Sequence, residues 1–262
     1  MDFTVKKYSE LLQTFQSKGY EFITFEEYCE GKRAEKFVVL RHDVDLKCGN
    51  SLTTAKIENG LGIRGTYYFR TLSESNIPTM IKDIVSLSHE IGYHYEDMSL
   101  CGADPDRAVE HFYRWLAYFR EYYPVKTVCM HGAPTSKYDS KDIWQFADYR
   151  SMGIIGEPYF DADFSELFYI TDTGRCWDGY KVSVRDKIPK CQDEWIAKGL
   201  VYHSTSDIIE AIQKGLFPNK LMMTTHPQRW SDNWLFNSKE YIIQKVKNII
   251  KWILINIKQR KL

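Results

Sequence analysis

Short apolar runs recur along the chain, each bounded by polar residues and separated by segments whose apolar positions repeat at helical spacing. One run, Phe37, Val38, Val39 and Leu40, passes directly into Arg41, His42, Asp43, Val44 and Asp45. Such a run reads as a buried strand of a parallel sheet. Side chains alternate across a strand, so Arg41, Asp43 and Asp45 share one side and His42 and Val44 the other. Two carboxylates and a guanidinium thus arrive together at a strand's carboxyl end, where α/β folds place their chemistry.

The alternation continues over most of the chain. Tyr8 to Ser17 places Leu11, Leu12 and Phe15 at helical spacing, with Gly19 as a stop. Phe22 to Phe25 predicts a strand and Glu26 to Cys29 a small helix. Ser51 to Asn59 predicts a helix ended by Gly60 and Gly62, and Gly65 to Arg70 a strand. Strand, helix, strand at this spacing is a βαβ unit, whose handedness implies a parallel sheet. A helix over Ile77 to His89, a strand over Glu90 to Glu96, a helix over Asp104 to Tyr122 and a strand over Val125 to Met130 follow. Ile143 to Arg150, Ile154 to Ile155 and Leu167 to Thr171 carry weaker signals. A helix over Asp207 to Lys214 and a strand over Leu221 to Thr225, ending at His226, close the series.

This rhythm predicts a (β/α) barrel or a doubly wound sheet. Polar residues at the ends of several strands, as if around one rim, favour the barrel. No linker, repeat or low-complexity tract divides residues 1–262, so a single domain is expected, with 1–36 as a helix and strand lead-in. Lys239 to Arg260 reads as an amphipathic helix, with Ile242, Val246, Ile249 and Ile253 opposite Lys247, Lys251 and Lys258. It either packs on the barrel or contacts anionic lipid peripherally.

Composition narrows the function classes. Lys plus Arg equals Asp plus Glu at 35 each, which leaves no electrostatic reason to expect nucleic acid. Eighteen Tyr and seven Trp suit a carbohydrate-facing cleft, although large cores use the same rings. The six cysteines show no C-x-x-C spacing and the first residues no secretory signal, which predicts free thiols in a reducing cytoplasm. No apolar run approaches the roughly 20 residues needed to cross a bilayer.

At the strand ends stand Asp43 and Asp45, His94 and Glu96, His131, and His226. Carboxylate and imidazole converging from separate strands suit a zinc-like divalent ion. Three protein ligands with an open fourth position make a hydrolytic site, and a further carboxylate and imidazole supply base and acid. His42 is expected in the core, and His89 and His111 on the surface. The segment TDTGRCWDG holds Asp172, Arg175 and Trp177 together, either as part of a sugar-binding wall or as a turn around Gly174. The loop HGAPTSKYD after the fifth strand is a second candidate for that wall.

VVLRHDVD, GIRGTYYF, HEIGYHYE, the strand ending in His131, and TTHPQRW resemble the polysaccharide deacetylase family, carbohydrate esterase family 4 in the broad sense. The similarity runs from Phe37 to Trp230 and points to the divergent branch with HDVD and HPxRW motifs, met in surface-polysaccharide biosynthesis. The resemblance implies a distorted (β/α) barrel of about seven parallel strands. It implies Asp43 as base and His226 as acid; Arg41, on the same side of the strand, is expected to orient Asp43 through a charge-assisted bond. It implies Asp45 and His94 as metal ligands, Asp45 standing one residue later than the usual second aspartate. The family's next metal histidine falls at Met98, a poor ligand for such an ion. His131 is the first replacement and Glu96 the second. Zinc is the expected metal, with cobalt, nickel or iron as alternatives.

The implied activity is removal of an N-acyl group, acetyl or formyl, from an amino sugar in O-antigen or capsule biosynthesis. For a cytoplasmic chain the substrate is a nucleotide sugar or a lipid-linked glycan. Trp230 joins Asp172, Arg175 and Trp177 as expected substrate contacts. Met98 also leaves open a catalytically silent glycan-binding or scaffold protein.

Overall fold

Strand β2 (Phe37–Val44) is buried from end to end, and the sheet is assembled around it. In a computed structural model describing residues 2–132, 136–178, 187–235, 237–244 and 246, helix α1 (Val5–Ser17), strand β1 (Glu21–Ile23) and helix α2 (Phe25–Cys29) precede it. Helix α3 (Cys48–Gly60), strand β3 (Thr66–Phe69), helix α4 (Pro78–Ser86), strand β4 (Glu90–Tyr95), helices α5 (Asp97–Leu100) and α6 (Pro105–Arg120), and strand β5 (Val128–Met130) follow. The chain then runs through helix α7 (Pro158–Asp161), strand β6 (Phe168–Thr171), helices α8 (Pro189–Ala197) and α9 (Thr205–Gln213), and strand β7 (Lys220–Thr225).

All seven strands pair in parallel, in the order β5-β4-β3-β2-β7-β6, with β1 also on β2. Strand β7 takes one edge of β2, while β1 and then β3 share the other. Strands β5 and β6 end the path without pairing each other among the described residues, so this is a distorted, open (β/α) barrel. Register sets Asp43 beside Tyr68, Tyr68 beside Gly92, and His94 beside Cys129. Gly92 is required there, because a Cβ would stand 2.3 Å from two ring carbons of Tyr68. The Tyr68 ring can therefore lie flat across β4 and reach Thr127 Oγ1 at 2.9 Å.

The outer faces of β3, β4 and β5 bury Tyr67, Phe69, Tyr93, Tyr95 and Val128 against Ile81 and Ile84 of α4 and Phe112, Leu116 and Phe119 of α6. Helix α1 sets Leu11, Leu12 and Phe15 against Ile208 and Ile212 of α9 and the apolar residues of β7. The caps have local causes. The Thr4 hydroxyl accepts from Lys7 N at 3.0 Å, and Ser204 with Asp207 forms a capping box on α9.

Several boundaries move. The fourth helix stops at Ser86, and His89 is fully buried between α3 and the sheet, with Nε2 3.0 Å from Ala55 O. His111 is half-buried, its Nδ1 2.5 Å from Asp97 Oδ1. Both were expected at the surface. Ile154 and Ile155 form no strand; only Gly156 bridges to Thr127. Residues 237–244 are helical, and the rest of the basic C-terminal segment lies outside the described residues, as do 133–135 of the HGAPTSKYD loop. No helix among the described residues is long and apolar enough to cross a membrane.

Beneath the rim, Glu90 is buried and accepts hydrogen bonds from Thr66 Oγ1 at 2.6 Å, from Glu26 N at 2.9 Å and from Thr127 Oγ1. Burial outweighs these donors and pushes its carboxyl up from 4.5 to about 7. Folded protein therefore holds a proton that unfolded chain releases between those values. The stabilisation is complete below the unfolded value and is lost as pH rises through the folded one, a change of about 3 kcal/mol. Glu90→Gln, which mimics the neutral acid, is expected to gain about that much over wild type at pH 8 and nothing at pH 4. Urea unfolding at both pH values reads the difference; an equal offset at both would show that titration of Glu90 plays no part.

Candidate metal centre

The inner face carries the chemistry because period-2 alternation selects it on every strand. Strand β2 delivers Arg41 and Asp43, and the backbone turns immediately so that Asp45 N donates to Asp43 O at 3.1 Å. Strand β4 delivers His94, with Glu96 just beyond its end. His131 follows β5, and His226 follows β7.

Asp45, His94 and His131 converge, their donor atoms all within 4.8 Å of one another. Asp45 Oδ1 lies 3.5 Å from His94 Nε2 and 3.5 Å from His131 Nε2. The imidazole planes stand at 81° with centroids 5.2 Å apart. Each ring is anchored through its other nitrogen. His94 Nδ1 is 2.9 Å from Cys129 O, and His131 Nδ1 is 2.9 Å from Glu96 Oε2. Both partners are acceptors, so each Nδ1 donates and each Nε2 is turned toward Asp45. Glu96 is itself held by Arg70, through Nε at 2.7 Å and Nη2 at 2.5 Å.

These residues fit a divalent ion. Asp45 Oδ1 is buried without a hydrogen-bond partner among the described residues, an arrangement that is costly unless a cation satisfies it. Two imidazole nitrogens and a carboxylate oxygen are a zinc-type donor set that leaves further coordination positions open. The other oxygen, Oδ2, accepts from Gln228 Nε2 at 3.2 Å.

Two more groups flank this cluster. Asp43 is clasped by Arg41, with Nε to Oδ1 at 2.8 Å and Nη2 to Oδ2 at 2.7 Å. Burial alone would raise the Asp43 carboxyl, but Arg41, assisted by His94 and His226, holds it down at about 2. Asp43 is therefore ionised at neutral pH, in the form that accepts a proton. Across the cluster, His226 Nε2 lies 3.9 Å from Asp45 Oδ2, while Nδ1 is 2.6 Å from Asp172 Oδ1. Burial and Arg229 push the His226 imidazole down, yet Asp172 and Asp45 outweigh them, so the net shift is upward, toward the protonated form.

Asp172 is completely buried. Besides the His226 side chain, it accepts from His226 N at 3.0 Å, Arg229 Nη1 at 2.8 Å and Trp230 Nε1 at 2.8 Å. Burial works against its negative charge, and Arg229 and His226 overcome it, holding the carboxyl below its ordinary value.

The structure brings together Arg41, Asp43, Asp45, His94, His131 and His226. Glu96, the alternative ligand, stands behind His131 and orients it. Met98, on α5, is packed in the core. The expected substrate contacts Asp172, Arg175, Trp177 and Trp230 are all buried, and Arg175 lines a cavity together with Phe3, His203 and Tyr241. Trp177 and Trp230 are 5% and 1% exposed. Trp230 packs on Tyr8 and Phe3 with centroids 5.0 and 5.1 Å away, and Trp177 Nε1 donates to Thr205 Oγ1 at 2.9 Å. Arg175 donates to Asn237 Oδ1 at 3.2 Å beneath the surface. Arg70 and Gln228 were not anticipated. Arg70 does stand directly after β3, the strand-end signal that found the histidines.

A similarity search of solved structures adds one observation. The chain is similar to Bacillus subtilis PdaA, a family 4 carbohydrate esterase. The match covers 90% of this chain and 83% of that one, at 11% identity and a TM-score of 0.42. No protein-family model and no curated protein matches the sequence.

Proposed function

We propose that this protein is a metal-dependent hydrolase that removes an acetyl or formyl group from the nitrogen of an amino sugar. The observation that carries the reading is the buried, unpartnered Asp45 Oδ1 between two imidazole nitrogens whose opposite edges are tied down. The substrate class rests on the motif resemblance to polysaccharide deacetylases. A nucleotide sugar or lipid-linked glycan of O-antigen or capsule assembly is the corresponding substrate.

Asp45, His94 and His131 hold the ion. When bound, such an ion supplies Lewis-acid polarisation of the acyl carbonyl and acidifies water. Asp43 takes the proton of the attacking water, kept in place by the two bonds from Arg41. His226 Nε2 gives a proton to the departing amine as the C–N bond breaks, with Asp172 fixing the ring from behind. One water is consumed, and a carboxylate and an amine leave.

Elemental analysis of protein purified without chelator or nickel resin tests the reading first. About one zinc, cobalt, nickel or iron ion per chain is expected, lost in His94→Ala. A panel of N-acetyl, N-formyl and O-acetyl sugars then identifies the bond. Protein that neither carries a metal nor takes one up on titration would overturn the mechanism.

A further inference from the structure

His94 belongs to a second donor set. Asp43, His94 and Cys129 also present ligand atoms within 4.8 Å of one another, one layer deeper in the barrel. Parallel register places Cys129 directly beside His94, so both side chains leave the sheet on the same face. The deeper set is closed off: Cys129 is 0%, His94 2% and Asp43 4% exposed. In the outer set, the side chains of Asp45 and His131 keep 18% and 16% of their surface. Asp43 Oδ2 is 3.7 Å from His94 Nε2, a separation that two ligands of one ion can adopt after small side-chain shifts.

The chemistry of the two sets differs. The outer one offers nitrogen and oxygen only, whereas the inner one adds sulfur, which ranks soft ions above hard ones. The Arg41 guanidinium interacts with Cys129 as well as with Asp43. With Asp45 nearby, three negative groups balance a divalent ion together with Arg41. The inner set thus supplies three donors and a balanced charge.

We propose that Asp43, His94 and Cys129 form an inhibitory site for a thiophilic divalent ion such as Cd²⁺. On binding, the Cys129 thiol releases its proton to solvent and a metal–sulfur bond forms. His94 cannot serve both sets, so the outer ion is displaced. Asp43 becomes a ligand and no longer accepts a proton. The inhibitory consequence rests on the function proposed above; the binding does not.

Cd²⁺ alone, added to the metal-free full-length chain, is the probe. Sulfur-to-cadmium charge-transfer absorption is expected in the wild type and in Cys29→Ser, and its loss in Cys129→Ser. A band that survives in Cys129→Ser, or none in the wild type, overturns the site. Cadmium NMR of the wild type needs no variant: a resonance shifted by one sulfur donor supports the site, and a nitrogen–oxygen resonance overturns it. Inhibition of the zinc-loaded protein by Cd²⁺ is expected to weaken in Cys129→Ser. If no sugar is deacylated yet the Cys129-dependent band persists, the inner site stands and the hydrolase reading falls. If sugar is deacylated and the band is absent, the hydrolase reading stands and the inner site falls.

Discussion

Asp43→Asn is expected to lower turnover by about 10²- to 10⁴-fold while metal content stays at the wild-type level. The carboxamide keeps the shape of the carboxylate but has no charge with which to accept a proton, and Asp43 is not in the outer donor set. Structure alone predicts a second effect. Arg41 is 1% exposed and, among the described residues, its hydrogen bonds go to Asp43 alone, so the substitution strands a buried cation. Breaking such a pair costs about 3–5 kcal/mol. The two consequences separate in Arg41→Met with Asp43→Asn, which removes both charges together. Stability by urea unfolding should recover part of the loss, because no uncompensated charge is left buried, although the carboxamide at position 43 loses its Arg41 donors. Turnover should not recover. If the double variant regained activity, Asp43 would be a folding residue and the base would lie elsewhere.

What could be read from the chain depended on whether the signal was local. The inner-face grouping of Arg41 and Asp43 follows from alternation along one strand, and the bidentate contact between them is its direct result, whereas Asp45 reaches the cluster through the turn after Val44. His94, His131 and His226 were legible because each ends an apolar run. Parallel topology then sends every such end to the same rim. No local signal places Asp172. Its segment carries turn residues, and only the pairing of β6 with β7, a contact remote in sequence, tucks it beneath His226.

The tryptophans carry an ambiguous signal for another reason. A large ring serves a core and a sugar cleft equally well, and spacing does not say which. Trp230 is anchored by Asp172 and by rings from the first helix, none of which is near it in the chain. His89 was lost at a boundary. The helical period was carried three residues past Ser86, although the chain there already turns inward with Ser88 in the left-handed region.

Replacing Asp172 is expected to damage both catalysis and folding, and the choice of residue separates the two. In Asp172→Asn the carboxamide still accepts from some of its donors, but its NH₂ faces His226 Nδ1 at 2.6 Å and forces the imidazole to give up the proton there. The other tautomer then carries the proton on Nε2, and the ring loses the carboxylate that favours its charged form. A carboxylate-to-amide change behind a catalytic imidazole lowers turnover by about 10⁴-fold in the best-studied case, and about 10²- to 10⁴-fold is expected here. Metal content should be unchanged, since neither residue belongs to the ligand cluster.

Asp172→Ala goes further. It leaves the His226 and Trp230 donors without acceptors and removes the counter-charge of Arg229, whose side chain is 18% exposed. A stability loss of about 3–5 kcal/mol is expected, read from the denaturant midpoint. The Asn variant should lose turnover with a smaller stability loss than the Ala variant, because it keeps the side-chain volume and part of the hydrogen bonding, and the Ala variant should lose both fully. Equal stability losses in the two, with turnover falling only in proportion to the folded fraction, would reduce Asp172 to a structural buttress and leave His226 without an established role as acid.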